Sequence, residues 1–158
     1  MKGNVFLDAL QDEIFTLIGR QADELGAEAY VIGGYVRDYF LGRPHPKDID
    51  ILAVGSGIAL AQKVAQVLPG QPQVQVFKNF GTAMIKWQET ELEFVGARKE
   101  SYHRHSRKPA VENGTLEDDQ LRRDFTVNAM ALSLNAQTFG ELADPFMGLQ
   151  DLSEKILK

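Results

Sequence analysis

The sequence has no cysteine, which removes disulfides, thiolate nucleophiles and thiolate metal ligands together. Three histidines leave little from which to build a zinc site. Long apolar runs are missing as well. No stretch approaches the roughly 18 residues that cross a bilayer, and the amino terminus, MKGNVFLDALQDEIF, places acids inside what would be the hydrophobic region of a signal peptide. A cytoplasmic location is the expectation. Positive charge is in deficit too: 17 Lys and Arg against 22 Asp and Glu leave a net charge of −5. The chain's overall field therefore does not draw it to nucleic acid, and any RNA contact has to be regional. Internal repeats and low-complexity tracts are also lacking, which argues against a solenoid or a linker.

What remains is a chain of 158 residues, 44% hydrophobic and 25% charged, the size and composition of one globular domain. Val5, Leu7, Leu10, Ile14, Leu17, Ile18 and Leu25 fit one face of an amphipathic helix over Val5 to Leu25. Glu28 to Ile32 reads as a short strand stopped by Gly33-Gly34, and Tyr35 to Leu41 as a short helix ended by Gly42 and Pro44. DIDILAV, Asp48 to Val54, reads as a strand, Gly55-Ser56-Gly57 as a turn, and Ile58 to Leu68 as a helix stopped by Pro69-Gly70. Val74 to Phe77, Ala83 to Trp87 and Leu92 to Val95 read as strands joined by short turns, hence antiparallel neighbours. The expected fold class is α/β, in the mixed α+β sense, with a mixed sheet flanked by helices. Arg98 to Lys108, RKESYHRHSRK, is the one strongly basic stretch, either a solvated loop or a regional RNA contact. Leu116 to Leu134 begins as a helix with Thr115 as its cap, and Met130 to Leu134 could instead be a strand. Asp144-Pro145 marks a turn, and Leu149 to Lys158 opens an amphipathic helix.

Asp48 and Asp50 carry the chemistry. Residues i and i+2 of a strand share a face, so the two carboxylates project together while Ile49 and Ile51 turn the other way. At about 6 to 7 Å and an effective dielectric of about 20 they repel by about 2 to 3 kcal/mol. Solvent can screen an exposed pair; for a pair near the core a divalent cation is the natural neutraliser, and oxygen-only ligands favour Mg²⁺ or Mn²⁺. Gly33-Gly34 lies between strand and helix, where free backbone N–H groups let a phosphate approach, with Arg37 one turn further on. The alternatives are a tight turn and an ion pair of Arg37 with Asp38. Gly55-Ser56-Gly57 is a rival phosphate loop, and neither stretch is a P-loop or a dinucleotide fingerprint. The first is favoured because an anion site and a paired-carboxylate metal site complement one another in phosphoryl transfer.

Gly33-Gly34-x-Val36-Arg37-Asp38, Leu41-Gly42-Arg43, Asp48-x-Asp50, Phe80-Gly81-Thr82-Ala83 and Arg122-Arg123-Asp124-Phe125-Thr126-Val127-Asn128-Ala129 follow one another in order along the chain. With them the sequence resembles the class II tRNA nucleotidyltransferase (CCA-adding enzyme) and bacterial poly(A) polymerase family, within the polymerase-β-like nucleotidyltransferases. The resemblance implies an enzyme in which Asp48 and Asp50 hold two Mg²⁺ (or Mn²⁺) ions. A tRNA 3′-hydroxyl would attack the α-phosphate of CTP or ATP, and pyrophosphate would leave. It implies a third carboxylate on a neighbouring strand, Glu93, with Glu91 as the alternative. Gly33, Gly34 and Arg37 would hold the triphosphate, and Arg123, Asp124 and Asn128 would line the nucleotide pocket. Asp124 and Asn128, at i and i+4 of a helix, could present an acceptor and a donor to a ribose hydroxyl. The basic stretch falls where the family carries a flexible loop. Two further readings stand beside CCA addition: a poly(A) polymerase head, and a nucleotide-binding module of the same fold without catalysis.

The family reads its nucleobase with an E-D-x-x-R motif in a following helical domain, and binds tRNA mainly through later domains. Neither is present in this sequence. The expected organisation is a nucleotidyltransferase catalytic head over 1–148 and the start of a truncated helical neck over 149–158. As an isolated fragment it is expected to bind triphosphates weakly and to add little or no CCA.

Overall fold

Strands with a main core on one face and a smaller buried cluster on the other decide this architecture. The computed structural model describes residues 5–43, 47–101, 110–121, 128–144 and 147–153. Among these residues nine strands form: β1 (Glu28–Ile32), β2 (Asp48–Val54), β3 (Val74–Phe77), β4 (Thr82–Trp87), β5 (Thr90–Gly96), β6 (Arg98–Ser101), β7 (Ala110–Asn113), β8 (Ala131–Ser133) and β9 (Leu142–Ala143). Seven of them make one sheet in the order β3-β4-β5-β2-β1-β8-β9, and β6-β7 form a separate ribbon. β2 and β5 run parallel, while the other pairs of the large sheet are antiparallel. The mixed sheet read from the sequence is thus present.

One face of this sheet carries the main core. Ile49, Ile51, Leu92, Phe94, Ala83 and Ile85 are buried there against Phe15, Ile18, Leu60 and Val64, which come from α1 (Glu13–Leu25) and α3 (Gly57–Val67). Among the described residues the opposite face carries a smaller cluster, Ile32, Leu52, Ala97 and Ala131, with Leu116 packed on it. Leu116 opens α4 (Leu116–Leu121). Helix α2 (Gly34–Phe40) sits at the β1 and β2 end of the main core, burying Tyr35 and Val36, and α5 (Gly148–Ser153) follows β9.

Two local expectations are revised, and one that stood open is decided. The amino-terminal helix is not continuous: Leu7–Leu10 forms a 3₁₀ turn, and Asp12 adopts extended backbone so that its Oδ1 accepts from Ile14 N at 3.1 Å and caps α1. Apolar spacing reports which residues face inward, and a capping aspartate can break the helix without disturbing that count. The basic stretch is not simply a loop, since Arg98–Ser101 pairs antiparallel with Ala110–Asn113; residues 102–109 lie outside the described residues. Met130–Leu134, open between helix and strand, contains strand β8, whose three residues are buried between β1 and β9.

Caps and close approaches fix the helices. The Ser56 hydroxyl accepts from Ala59 N at 3.0 Å and starts α3. Thr115 caps α4 reciprocally: its hydroxyl accepts from Asp118 N at 3.2 Å, and its own N–H donates to Asp118 Oδ2 at 2.9 Å, a capping box. Gly19 lets α1 lie directly on the Leu134 carbonyl, with which an added Cβ would overlap.

Candidate active site

Gly33 ends β1 with φ 72° and ψ −138°, a conformation that side chains with a Cβ avoid. This turn swings the chain into α2, and because Ile32 pairs with Asp50, it delivers both glycines to the acid-bearing end of β2. A Cβ on Gly33 would lie 3.5 Å from Asp50 Oδ2, and one on Gly34 would lie 3.4 Å from Arg37 Nη2. The glycine turn, the Asp50 carboxylate and the Arg37 guanidinium therefore border one small space.

Asp48 is exposed and Asp50 partly buried, on the β2 face opposite Ile49 and Ile51. In the parallel pairing Asp48 stands beside Glu91 and Asp50 beside Glu93, at the roughly 5 Å interstrand spacing. Both candidates for the third acid are thus neighbours of an aspartate. They differ in setting: Glu93 is partly buried beside partly buried Asp50, whereas Glu91 is exposed beside exposed Asp48. Among the described residues, no three His, Asp or Glu side chains stand close enough to hold a metal ion by themselves. Beyond Glu93 the same face continues into a cleft lined by Gln73, Gln75, Met84, Lys86 and Glu91.

Arg37 does form the ion pair with Asp38, Nε to Oδ1 at 3.1 Å. It also donates from Nη1 to Asn128 Oδ1 at 3.2 Å, so a residue 91 positions away joins the glycine turn. Arg123 and Asp124 lie outside the described residues. The rival loop is separated from the acids. Gly55 follows the far end of β2, about 16 Å along the strand from Asp50 at the usual rise, and its elements serve packing. Ser56 caps α3, and a Cβ on Gly57 would come within 2.7 Å of the Val95 carbonyl carbon.

Sequence reasoning missed Gln120. Its buried amide donates to Ala129 O at 2.7 Å and Ala143 O at 3.1 Å, tying α4 to β9 and to the residue after Asn128. A glutamine in a helix of acids carries no sequence signal of such a role. Among the described residues no helix is long and apolar enough to cross a membrane.

The same architecture is found in a CCA-adding enzyme in an apo form, which superposes with a TM-score of 0.88 at 32% identity over 100% of this chain and 38% of that one. The fold is that of the polymerase-β-like nucleotidyltransferases. A tRNA nucleotidyltransferase solved with a primer tRNA and an incoming ATP analogue matches with a TM-score of 0.75 and 38% identity, covering 89% of this chain and 38% of that chain. By sequence the chain is 43% identical over 130 residues to the A-adding tRNA nucleotidyltransferase of Aquifex aeolicus strain VF5, covering 82% of this chain and 15% of that protein. The family model of the poly A polymerase head domain matches residues 29–158, and the chain belongs to that family. It spans well under half the length of each of these relatives.

Proposed function

We propose that this chain is the catalytic head of a template-independent RNA nucleotidyltransferase that transfers a nucleoside monophosphate from CTP or ATP to a tRNA 3′-hydroxyl. On this reading residues 1–148 form the head, 149–158 begin a helical neck, and tRNA is held mainly by parts of the longer relatives that this chain does not span. The observation that carries the reading is the position of Asp50, 3.5 Å from where a Gly33 Cβ would stand and in register with Glu93.

The donor set suits a hard divalent cation, since all candidate ligands are carboxylates. Mg²⁺ takes one or two carboxylates and completes its shell with water and substrate phosphates. Asp48 and Asp50 are the proposed ligands, with Glu93 as the third acid. When bound, such ions supply charge neutralisation at the α-phosphate and on the leaving group. The protein's own groups do the rest. The glycine turn admits the triphosphate to backbone N–H groups, Arg37 offers a fixed cation, and Asn128, with Arg123 and Asp124, lines the nucleotide pocket. The primer hydroxyl forms the new bond to the α-phosphorus and loses its proton, while the bond to the bridging oxygen of pyrophosphate breaks. The A-adding activity named for the Aquifex relative favours AMP as the transferred unit over a mixed CMP and AMP product.

Thermal melting with Mn²⁺, ATP or CTP, alone and together, tests this. A joint site raises the melting temperature most when metal and nucleotide are both present, because each ligand stabilises the folded state by mass action. Asp48→Asn with Asp50→Asn should abolish that joint increment. A double variant that responds like the parent would place the site elsewhere.

A further inference from the structure

We propose that Asp38 is a positioning residue: with Asn128 it locks the Arg37 guanidinium beside the Gly33-Gly34 turn, in the pose that meets an incoming triphosphate. The inference rests on the functional reading above, and adds to it a carboxylate that has no phosphate or metal to bind.

The contacts define a fork. Asp38 Oδ1 takes the Nε–H at 3.1 Å, and Asn128 Oδ1 takes a proton of Nη1 at 3.2 Å. Nη2 hydrogen-bonds to no described residue, and stands 3.4 Å from where a Gly34 Cβ would be. Two of the three guanidinium nitrogens are therefore anchored to different elements, one on α2 and one just ahead of β8, and the third faces the turn. The Asp38 side chain keeps only 13% of its surface exposed, so its charge is poorly solvated and held to its partner. The same fork orients Asn128. With its carbonyl oxygen turned to Arg37, the amide has the two donors of Nδ2 left for a nucleotide.

A carboxylate this near an anion site opposes the anion through its own field. That opposition gives the proposal a sign that a bystander ion pair lacks. Removing a nearby negative charge should tighten ATP binding if Asp38 does nothing else. If Asp38 holds Arg37, its removal frees a rotamer-rich side chain that binding must then order again, weakening binding by about two- to tenfold.

The experiment is calorimetric or fluorescence titration of the 158-residue chain with ATP and Mn²⁺. Asp38→Ala should weaken binding about two- to tenfold, and Asp38→Asn, which keeps an acceptor for Nε, should recover most of the loss. In an Arg37→Lys background Asp38→Ala should not weaken binding further, because a lysine cannot fill the fork and only the removed charge is felt. Binding unchanged or tightened in Asp38→Ala, or a full-size effect in the lysine background, overturns the positioning role alone. A parent chain that shows no metal-dependent ATP binding overturns the functional reading and this inference with it. Should Asp38→Ala not fold, the parent decides: the Arg37 Nε–H should exchange with solvent more slowly in ¹⁵N spectra than the other arginine side chains, and exchange as fast as theirs overturns the lock.

Discussion

Gly19 sets two residue-scale effects against each other. Helix propensity alone says that Gly19→Ala in mid-helix should stabilise by about 1 kcal/mol. The added Cβ, however, would overlap the Leu134 carbonyl oxygen, which is backbone and has nowhere to go. Overpacking of that kind costs about 1 to 3 kcal/mol, so the expected outcome is a lower denaturation midpoint. A rise in the midpoint would show that α1 shifts freely on the sheet. Tyrosines give a second prediction. Burial first, then the neighbouring Glu28 carboxylate, pushes Tyr30 up to about 12; burial first, then Asp12, does the same to Tyr35, also to about 12. Both sit above the ordinary value of 10, so the folded chain keeps protons that the unfolded chain releases. The stability that goes with them is intact below pH 10 and is lost as pH climbs toward 12. Melts across that window, read beside the absorbance of phenolate, should show unfolding and ionisation of these two rings together. Tyr35→Phe, which also deletes the 2.7 Å bond to Ala9 O, should flatten the decline.

At the scale of elements, much of this structure is legible because short signals coincide. Strands β1, β2 and β3 fall where alternation or an apolar run meets a glycine or a charged boundary, and their observed spans equal the expected ones. The carboxylates of β2 are legible for the same reason, since period two puts Asp48 and Asp50 on one face whatever the strand pairs with. What period two cannot carry is the neighbour. That Glu93 rather than Glu91 stands beside Asp50 depends on the β2 and β5 register, and register is decided by packing of the opposite face, Ile51 beside Phe94. Gln120 and β9 were silent for a related reason: their role is to pair with backbone, which leaves no pattern in side-chain type. Ser56 offers a test at this scale. It caps α3 through one hydroxyl, and Ser56→Ala should cost about 1 kcal/mol while leaving the joint metal and nucleotide increment intact, since that loop lies far along the sheet from the acids. Loss of the increment in Ser56→Ala would revive the rival loop as the phosphate site.

Across the whole molecule, the sheet joins two locally built halves. On one side β3, β4 and β5 form a meander of antiparallel neighbours; on the other, β1 pairs with β2 and then with β8. The parallel contact of β2 with β5 is where they meet. Amides of Ile51 and Phe94, at this junction and fully buried, should exchange with deuterium only through global unfolding, whereas those of the separate β6-β7 ribbon should exchange sooner. Equal protection in both places would mean that the ribbon is part of the same cooperative unit.

That junction has a consequence for the order in which the chain acquires its charges' company. Asp50 comes from one half and Glu93, later in the chain, from the other. As the polypeptide leaves the ribosome, Asp50 therefore has Asp48 beside it from the start but gains Glu93 only once β5 has emerged and the halves can close. The crowding of acids from different strands thus forms together with the parallel junction and not before it.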